Sequence, residues 1–453
     1  MQKVLRQFFP AQPHPDPRLQ THWYWFQVAL WLLPFSALLT SVGVSLISLV
    51  LLYQRFPSII QRRVNQALAI VAGLMVLSAV LAYRPLDALL GLANFLPLFL
   101  VFAALSELIQ TTAQVRRIAW LLVSASVFVV AIGLGEQFLG WSGEIKLLGA
   151  VIDWVIYPTG NPPGRMASVF RYANVLASYL AVTFSLSLGL WLHSWRFTPR
   201  RWRSPGQQIF LTIAVLANGV GLLLTDSRNA WAIALLTCLA FGLYLGWRWL
   251  LALVALVTGT SLGAAFAPAP LGPGLRQIVP SFIWLRLSDQ LYPNRPVADL
   301  RSTQWQFALS LVQQRPLMGW GLRNFSLLYQ EKMQFFIGHP HNLYLMLAAE
   351  TGVPATLLFL GIIGWILAQG ILLLGSWLPP GAEGQRAQEI SSETTLAISQ
   401  DALVLFTCLV GFLACTLFSF LDVTLFDIRV NLLGWLMLAT IAGLLHHPRC
   451  LKA

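Results

Sequence analysis

Two histidines and an asparagine stand where a long polar segment runs into an apolar one. The segment is His339-Pro340-His341-Asn342, and the apolar run Leu343-Tyr344-Leu345-Met346-Leu347 follows it directly. An imidazole with a near-neutral pKa can accept or donate a proton, and a neighbouring amide can orient the ring. The pattern is therefore typical of a proton-transfer site at the edge of an apolar helix. It is also consistent with two histidines that precede an ordinary helix whose free N–H groups Asn342 caps.

Arginines occupy two further junctions between polar and apolar sequence. One is the stretch from Gly164 to Asn174, which contains Arg165 and Arg171, and the other is Asp226-Ser227-Arg228-Asn229. A guanidinium binds two phosphate oxygens through its planar fork and stays charged, so such arginines could hold a pyrophosphate. A salt bridge from Arg228 to Asp226, or contact of the other arginines with lipid headgroups, would also explain them.

The composition predicts an all-α integral membrane protein with about twelve transmembrane helices. The 453 residues are 57% hydrophobic and only 10% charged, which exceeds the need of any soluble core. The net charge of +12 indicates basic loops between spans, not nucleic-acid binding. The sequence contains no Asp-x-Asp pair, no Gly-rich phosphate loop and no zinc-type cysteine spacing, so no metal or cofactor is predicted.

The distribution of basic residues predicts the topology. Sixteen Lys or Arg fall in segments predicted to be inside, whereas the short outside loops hold only Arg84, Arg228 and Arg429. Both termini are therefore predicted to be cytoplasmic. The predicted regions are an N-terminal arm (1–23), helices 1–9 (24–267) with an outer loop at 139–173, a large extracytoplasmic loop between helices 9 and 10 (268–341), helices 10–12 (342–445) and a tail (446–453).

The first apolar run and the large extracytoplasmic loop each show a further pattern. The run 24–53 is long for one span and short for two, and Pro34 predicts a break into two short or tilted helices. The loop 268–341 carries a net charge of +4, which fits either an anionic partner or a surface that contacts lipid headgroups. Within it, Leu300–Gln314 is predicted to be a helix that ends before Pro316, and Gly319-Trp320-Gly321 a tight turn.

Four segments in order resemble the superfamily of O-antigen ligases and O-antigen polymerases. They are Arg165-Met166-Ala167-Ser168-Val169-Phe170 continuing to Asn174-Val175-Leu176-Ala177-Ser178-Tyr179-Leu180, then Asp226-Ser227-Arg228, then Pro316-Leu317-Met318-Gly319-Trp320-Gly321, then His341-Asn342-Leu343-Tyr344-Leu345 running to Glu350-Thr351-Gly352. The chain departs from the family at Arg171-Tyr172-Ala173-Asn174, where Gly-Asn-Pro-Asn is common, and at Ala355. The choice between ligase and polymerase stays open.

The resemblance implies a glycosyltransferase of cell-envelope polysaccharide or lipopolysaccharide synthesis in the bacterial inner membrane. It would transfer glycan from undecaprenyl pyrophosphate to a hydroxyl of a glycan or lipid acceptor on the extracytoplasmic face, without a metal ion. By resemblance, His341 would be the general base and Asn342 would fix its imidazole. The residues expected to bind substrate are Arg165 and Arg228, with Arg171, Asn174, Arg323 and His339 as lesser candidates.

A second function stays open on the sequence. Relatives in the same superfamily are labelled as bicarbonate transporters, and Asp226-Ser227-Arg228-Asn229-Ala230-Trp231 resembles their version of this segment. Those relatives lack the His-Asn pair before the later helix, so His341-Asn342 favours the transferase over the small-anion transporter.

Overall fold

A computed structural model describes residues 13–147, 150–197, 204–290, 296–377 and 392–447. The basic stretch 198–203, residue Arg295, the polar loop 378–391 and the end of the tail lie outside these ranges. The described chain forms an α-helical bundle with one two-stranded hairpin, which confirms the predicted fold class.

The helices and strands follow one another in this order: α1 Gln20–Leu32, α2 Ala37–Ile60, α3 Arg63–Val80, α4 Pro85–Gly91, α5 Leu96–Leu108, α6 Thr112–Leu139, β1 Gly143–Leu147, β2 Ala150–Ile156, α7 Ala173–Phe197, α8 Pro205–Leu224, α9 Arg228–Leu245, α10 Arg248–Phe266, α11 Leu271–Arg276, α12 Ser281–Leu287, α13 Arg301–Gln314, α14 Asn324–Met333, α15 Leu343–Thr351, α16 Val353–Trp377, α17 Ser392–Phe418 and α18 Ile428–His446. Strands β1 and β2 pair antiparallel.

Eleven helices among the described residues are long and apolar enough to cross a membrane, with α4 and α5 counted together as one. They correspond to the second to twelfth of the predicted spans. The run 24–53 does divide near Pro34, because the chain turns between Leu32 and Ala37, where Ser36 Oγ accepts a hydrogen bond from Leu39 N. The first of its two helices, α1, has only 13 residues. At 1.5 Å per residue it is too short to span a bilayer alone.

The predicted tenth span, which starts at 342, is two helices and not one. Helix α15 ends at Thr351 and α16 begins at Val353, and Gly352 between them has a φ of 84°. A glycine adopts this conformation at little cost, whereas other residues resist it. Only α16 is long enough to cross a membrane, so α15 belongs to the end of the bundle that carries the long loops.

Helix α7 is the centre of the bundle, and 83% of its most apolar 18-residue stretch is buried. Small and polar residues allow its neighbours to approach: a Cβ on Gly189 would lie 2.2 Å from Thr407 Oγ1 of α17. Thr183 donates to Asn218 Oδ1 of α8 at 2.6 Å, and Asn218 Nδ2 donates to Ser126 Oγ of α6 at 2.9 Å. This chain of hydrogen bonds connects three helices inside the apolar core.

The connections between helices gather at two ends of the bundle. We call the loop end the one where residues 33–36, 81–84, 140–147, 150–172, 225–227, 267–290, 296–342 and 419–427 meet. Contacts there join distant segments: Tyr83 N donates to Trp320 O at 3.0 Å, and Leu343 N donates to Ser419 O at 2.9 Å. At the opposite end His14 Nε2 lies 2.8 Å from Leu108 O, and Arg62 forms an ion pair with Glu107.

Candidate functional site

The two histidines lie on a short loop that is held in place before α15. Trp305 Nε1 donates to Pro340 O at 2.9 Å, and Ser326 Oγ donates to Gly338 O at 2.6 Å. His341 has a φ of 51°, a left-handed conformation that is uncommon outside glycine and is often found at functional sites. It precedes the helix, because Asn342 is the N-cap residue and α15 begins at Leu343.

Asn342 caps α15. Its Oδ1 accepts a hydrogen bond from Leu345 N at 3.0 Å, and no hydrogen bond to an imidazole is found for it within the described ranges. The expected orienting role of Asn342 therefore has no contact to support it here. The partner of His341 is instead His339, whose Nδ1 lies 3.0 Å from His341 Nδ1.

A buried carboxylate completes this group. Asp422, which is 5% exposed and follows α17, has its Oδ1 3.8 Å from His339 Nε2. His341 N donates to His339 Nδ1 at 3.2 Å, so in a neutral ring this nitrogen has the lone pair and Nε2 carries the proton towards Asp422. His341 Nδ1 can then donate to the same lone pair, which leaves His341 Nε2 as an acceptor. We call His339, His341 and Asp422 the His-Asp cluster.

The predicted arginine segment before α7 reaches the same carboxylate. Arg165 is 6% exposed; its Nε donates to Thr225 O at 2.8 Å and its Nη2 to Asn174 Oδ1 at 2.5 Å. Asn174 Nδ2 in turn donates to Asp422 Oδ2 at 2.5 Å. A continuous chain of polar contacts thus runs from Arg165 through Asn174 and Asp422 to the two histidines.

Arg228 lies beside these polar contacts, in a crossed pair of ionic contacts with α12 and the residues that follow it. Arg228 Nη1 is 3.4 Å from Asp289 Oδ1, and Arg286 Nε is 3.4 Å from Asp226 Oδ2. Arg228 Nη1 also donates to Arg286 O at 3.3 Å. Arg286 is thus an ion-pair partner of Asp226, and its charge acts on Asp226 more strongly than that of Arg228 does.

The electrostatic environment follows from burial and from these charges. The pKa of His341 is lowered to about 4: burial is the main cause, the charge of Asp422 opposes it, and the charges of His339 and Arg301 add to the lowering. Burial also lowers the pKa of His339, so both rings are neutral near pH 7. Burial raises the pKa of Asp226, while Arg286, Arg165 and Arg228 together oppose that rise. Three guanidinium groups therefore act on one carboxylate.

The remaining predicted substrate-binding residues lie elsewhere. Arg171 is exposed, with a φ of 56°, and its carbonyl accepts from Asn161 Nδ2 at 2.5 Å. The Arg323 side chain passes next to Gly91, and its charge acts on Glu350. No contact of either side chain with the His-Asp cluster is found in the described part of the chain.

Two of the four motif segments pack against each other. Trp320 N donates to Ala349 O at 3.0 Å and Gly321 N to Glu350 O at 2.8 Å, and Gly319 has a φ of 65°. The predicted tight turn is thus present, and it holds the end of α15. The predicted helix is present too, as α13.

Two functional candidates were missed in the sequence: Asp422, and Arg286 as the partner of Asp226. Asp422 stands in Phe420-Leu421-Asp422-Val423, a lone carboxylate between apolar residues at a span end. Such a residue is costly to bury without a partner, and that was the available signal. Arg286 carried no local signal, since the loop around it holds many arginines.

The His-Asp cluster is also the set of described groups that could hold a metal ion. One ligand atom from each residue can be chosen so that all three lie within 4.8 Å of one another. The sequence search found no metal-ligand spacing because Asp422 is remote from the two histidines along the chain.

An apolar cavity of about 310 Å³ lies between α15, α16, α17 and α18. Leu343, Tyr344 and Thr424 are part of its lining, each within three residues of His341 or Asp422. The rest is mainly apolar, including Leu347, Phe359, Leu367 and Trp435. The cavity is thus adjacent to the His-Asp cluster, but its lining is mainly apolar.

These features define a polytopic α-helical membrane protein with a buried polar site at the loop end. Residues 213–360, about a third of the chain, match the family model described as O-antigen ligase. The match confirms the resemblance to the O-antigen ligase superfamily and supports a general role in membrane glycan transfer. A comparison with curated proteins finds no match.

The matched region contains Arg228, Arg286, His339 and His341. Arg165 and Asn174 precede the matched region, and Asp422 follows it. The site is therefore assembled from segments inside the matched region and on both sides of it.

Proposed function

We propose that this protein transfers a glycan from a polyprenyl-pyrophosphate donor, undecaprenyl pyrophosphate in bacteria, to an acceptor hydroxyl at the loop end. The observation that carries the proposal is the polar chain from Arg165 through Asn174 and Asp422 to His341. It joins a group suited to phosphate with a group suited to proton transfer, beside an apolar cavity suited to a lipid tail.

In the proposed reaction, His341 Nε2 accepts the proton of the acceptor hydroxyl as its oxygen attacks the anomeric carbon of the donor. The bond from that carbon to the pyrophosphate oxygen breaks, and the electron pair leaves with the lipid-linked pyrophosphate. Arg165, Arg228 and Arg286 offset the charge on this leaving group, which is the charge that must be stabilised in the transition state. Asp422 keeps the imidazole of His339, and through it that of His341, in the required tautomer.

Binding of the donor requires the arginines to exchange partners. Asp226 and Asp289 are the carboxylates that face Arg286 and Arg228 in the structure. A pyrophosphate brings more negative charge and more acceptor oxygens than a single carboxylate, so it competes well for a guanidinium fork. We expect the oily cavity to hold the first isoprene units of the donor's tail.

The orientation is part of the proposal. We place the loop end on the extracytoplasmic side of a bacterial plasma membrane and both termini in the cytoplasm, because of the positive-inside bias of the sequence.

The test is chemical analysis of surface glycans and lipid-linked intermediates in a deletion strain that expresses variants at equal membrane levels. We expect His341→Ala and Arg228→Lys to lose surface glycan and accumulate lipid-linked donor, because the first removes the base and the second the bidentate fork. The matched controls His22→Ala and Arg84→Lys, which change residues outside the polar chain, should behave as wild type. Normal glycan from either test variant would refute its assigned role, and altered anion uptake with unaltered glycans would favour the transporter.

A further inference from the structure

The His-Asp cluster presents the ligand types that transition metals prefer. Two imidazoles and a carboxylate suit zinc, cobalt and nickel, whereas magnesium and calcium favour sites made of oxygen alone. The ligand atoms of the three residues lie within 4.8 Å of one another, as stated above.

The distances are close to those of a coordination site. Bonds of about 2.0–2.2 Å in a tetrahedral arrangement place two ligand atoms roughly 3.3–3.5 Å apart. Two of the observed separations are 3.0 Å between the two Nδ1 atoms and 3.8 Å between His339 Nε2 and Asp422 Oδ1. They involve different nitrogens of His339, of which one can bind the ion, and a set with one atom from each residue lies within 4.8 Å. A shift of about 1 Å, which rotation of the side chains can supply, would bring one nitrogen of each ring and the carboxylate around one ion.

The surroundings of the ligands resemble the support that metal sites need. Asp422 accepts hydrogen bonds from Asn174 Nδ2 at 2.5 Å and Val423 N at 2.8 Å, which fix its carboxylate. The histidine loop is fixed by Trp305 through Pro340 O. Hydrogen bonds of this kind orient ligands before the ion arrives, and their loss typically weakens binding about 10–100-fold.

We infer that His339, His341 and Asp422 bind one divalent transition-metal ion of the zinc type, and that the bound ion blocks glycan transfer. The second part rests on the proposed function, because an imidazole that coordinates a metal cannot also accept the proton of an acceptor hydroxyl. Each ring would coordinate through a nitrogen without a proton, and two metal–nitrogen bonds would replace the hydrogen bond between the rings. The ion is therefore an inhibitor of this site and not its cofactor.

The binding test uses the full chain purified in detergent, stripped with a chelator and dialysed against Zn²⁺ or Co²⁺. Metal content is measured by atomic spectroscopy, and Co²⁺ coordination by its visible absorption. We expect about one tightly held ion per chain, and at least 100-fold weaker binding for His339→Asn and Asp422→Asn, because each loses a ligand. Wild-type affinity in both variants, or no stoichiometric ion in the wild type, would overturn the inference.

Two further variants keep the test decisive if a ligand variant folds poorly. His339→Cys keeps a metal ligand at the same position, so it should retain Co²⁺ and add a thiolate-to-cobalt absorption band. A folded His339→Cys variant that lacks this absorption band would also overturn the proposed metal site. His22→Asn removes a histidine remote from the cluster and should bind the ion as the wild type does.

The inhibition test measures transfer from a lipid-linked donor in membranes, with and without added Zn²⁺. Transfer should fall as Zn²⁺ saturates the site and return when a chelator is added. Full transfer by the zinc-bound protein would show that the ion does not block the base. If metal-free protein gives no transfer while stoichiometric binding holds, the proposed function fails and the metal site stands.

Discussion

Side chains that look alike in the sequence have different tasks in the structure. Asn342 and Asn174 both stand beside predicted catalytic or basic residues. The first bonds the backbone at the start of a helix, whereas the second joins Arg165 to Asp422. The difference lies in the direction of the side chain, and it separates a residue that stabilises α15 from one that aligns the site.

This difference predicts the behaviour of Asn342 variants. Serine is also a good N-cap residue, so Asn342→Ser should keep both stability and glycan transfer, while Asn342→Ala should lower the free energy of unfolding by about 1 kcal/mol. Thermal unfolding in detergent and glycan analysis at equal expression measure the two effects. If Asn342→Ser is as stable as the wild type but inactive, the amide orients the imidazole after all.

A similar argument applies to Arg165, which uses two different nitrogens for Thr225 O and Asn174 Oδ1. A lysine has one ammonium group and cannot reproduce both directions. Arg165→Lys should therefore reduce transfer strongly, with less effect on unfolding than Arg165→Ala, which leaves a buried acceptor without a partner. Unreduced transfer by Arg165→Lys would show that charge alone is sufficient there.

Among the elements, the turn 316–321 packs against the junction of α15 and α16. This contact holds the end of α15, the helix that follows the histidine loop. A Cβ on Gly319 would lie 2.6 Å from Glu350 C and O, and one on Gly352 would lie 2.1 Å from Leu317 O. Both glycines also have positive φ. The two segments can meet only because neither has a side chain at the point of contact.

Glycine substitutions test this contact. Gly319→Ala should lower the free energy of unfolding by about 1–3 kcal/mol from backbone strain alone, with a further loss from the clash. Gly338→Ala is the matched control, because nothing lies within 4 Å of the Cβ position there. Thermal unfolding of the two variants in the same detergent compares them, and equal stability would mean that the junction adapts to a side chain.

The sequence predicts elements well where one physical signal dominates. Hydropathy located the long helices, and Arg315-Pro316 marked the end of α13. Hydropathy failed where an apolar run is continuous but the helix is interrupted, as at Gly352. For the candidate site, the sequence singled out His339, His341, Arg165 and Asn174, because each stands where a polar segment meets a span. Asp422 was missed because its importance comes from partners in distant segments.

For the whole molecule, the structure explains why residues predicted to lie on the outer face could converge. Successive long helices alternate in direction, so every second connection returns to the loop end, where the predicted site segments lie. The contacts at the opposite end, from His14 to Leu108 and from Arg62 to Glu107, join the other connections.

The membrane orientation of this arrangement can be measured with a matched pair of exposed positions. Lys332→Cys lies at the loop end and Gln61→Cys at the opposite end. In a background without native cysteines, a membrane-impermeant thiol reagent applied to intact cells should label the first and spare the second. Labelling of Gln61→Cys alone would show that the loop end faces the cytoplasm. The proposed transfer on the extracytoplasmic side would then be wrong.

The composite origin of the site has a consequence for biosynthesis. Arg165 and Asn174 enter the membrane with the first half of the chain, the histidines follow after α10, and Asp422 arrives only when α17 has been inserted. A nascent chain therefore carries the arginines long before it carries Asp422. Under the proposed function, a ribosome-bound or truncated chain that ends before α17 lacks this carboxylate and is inert towards lipid-linked donors.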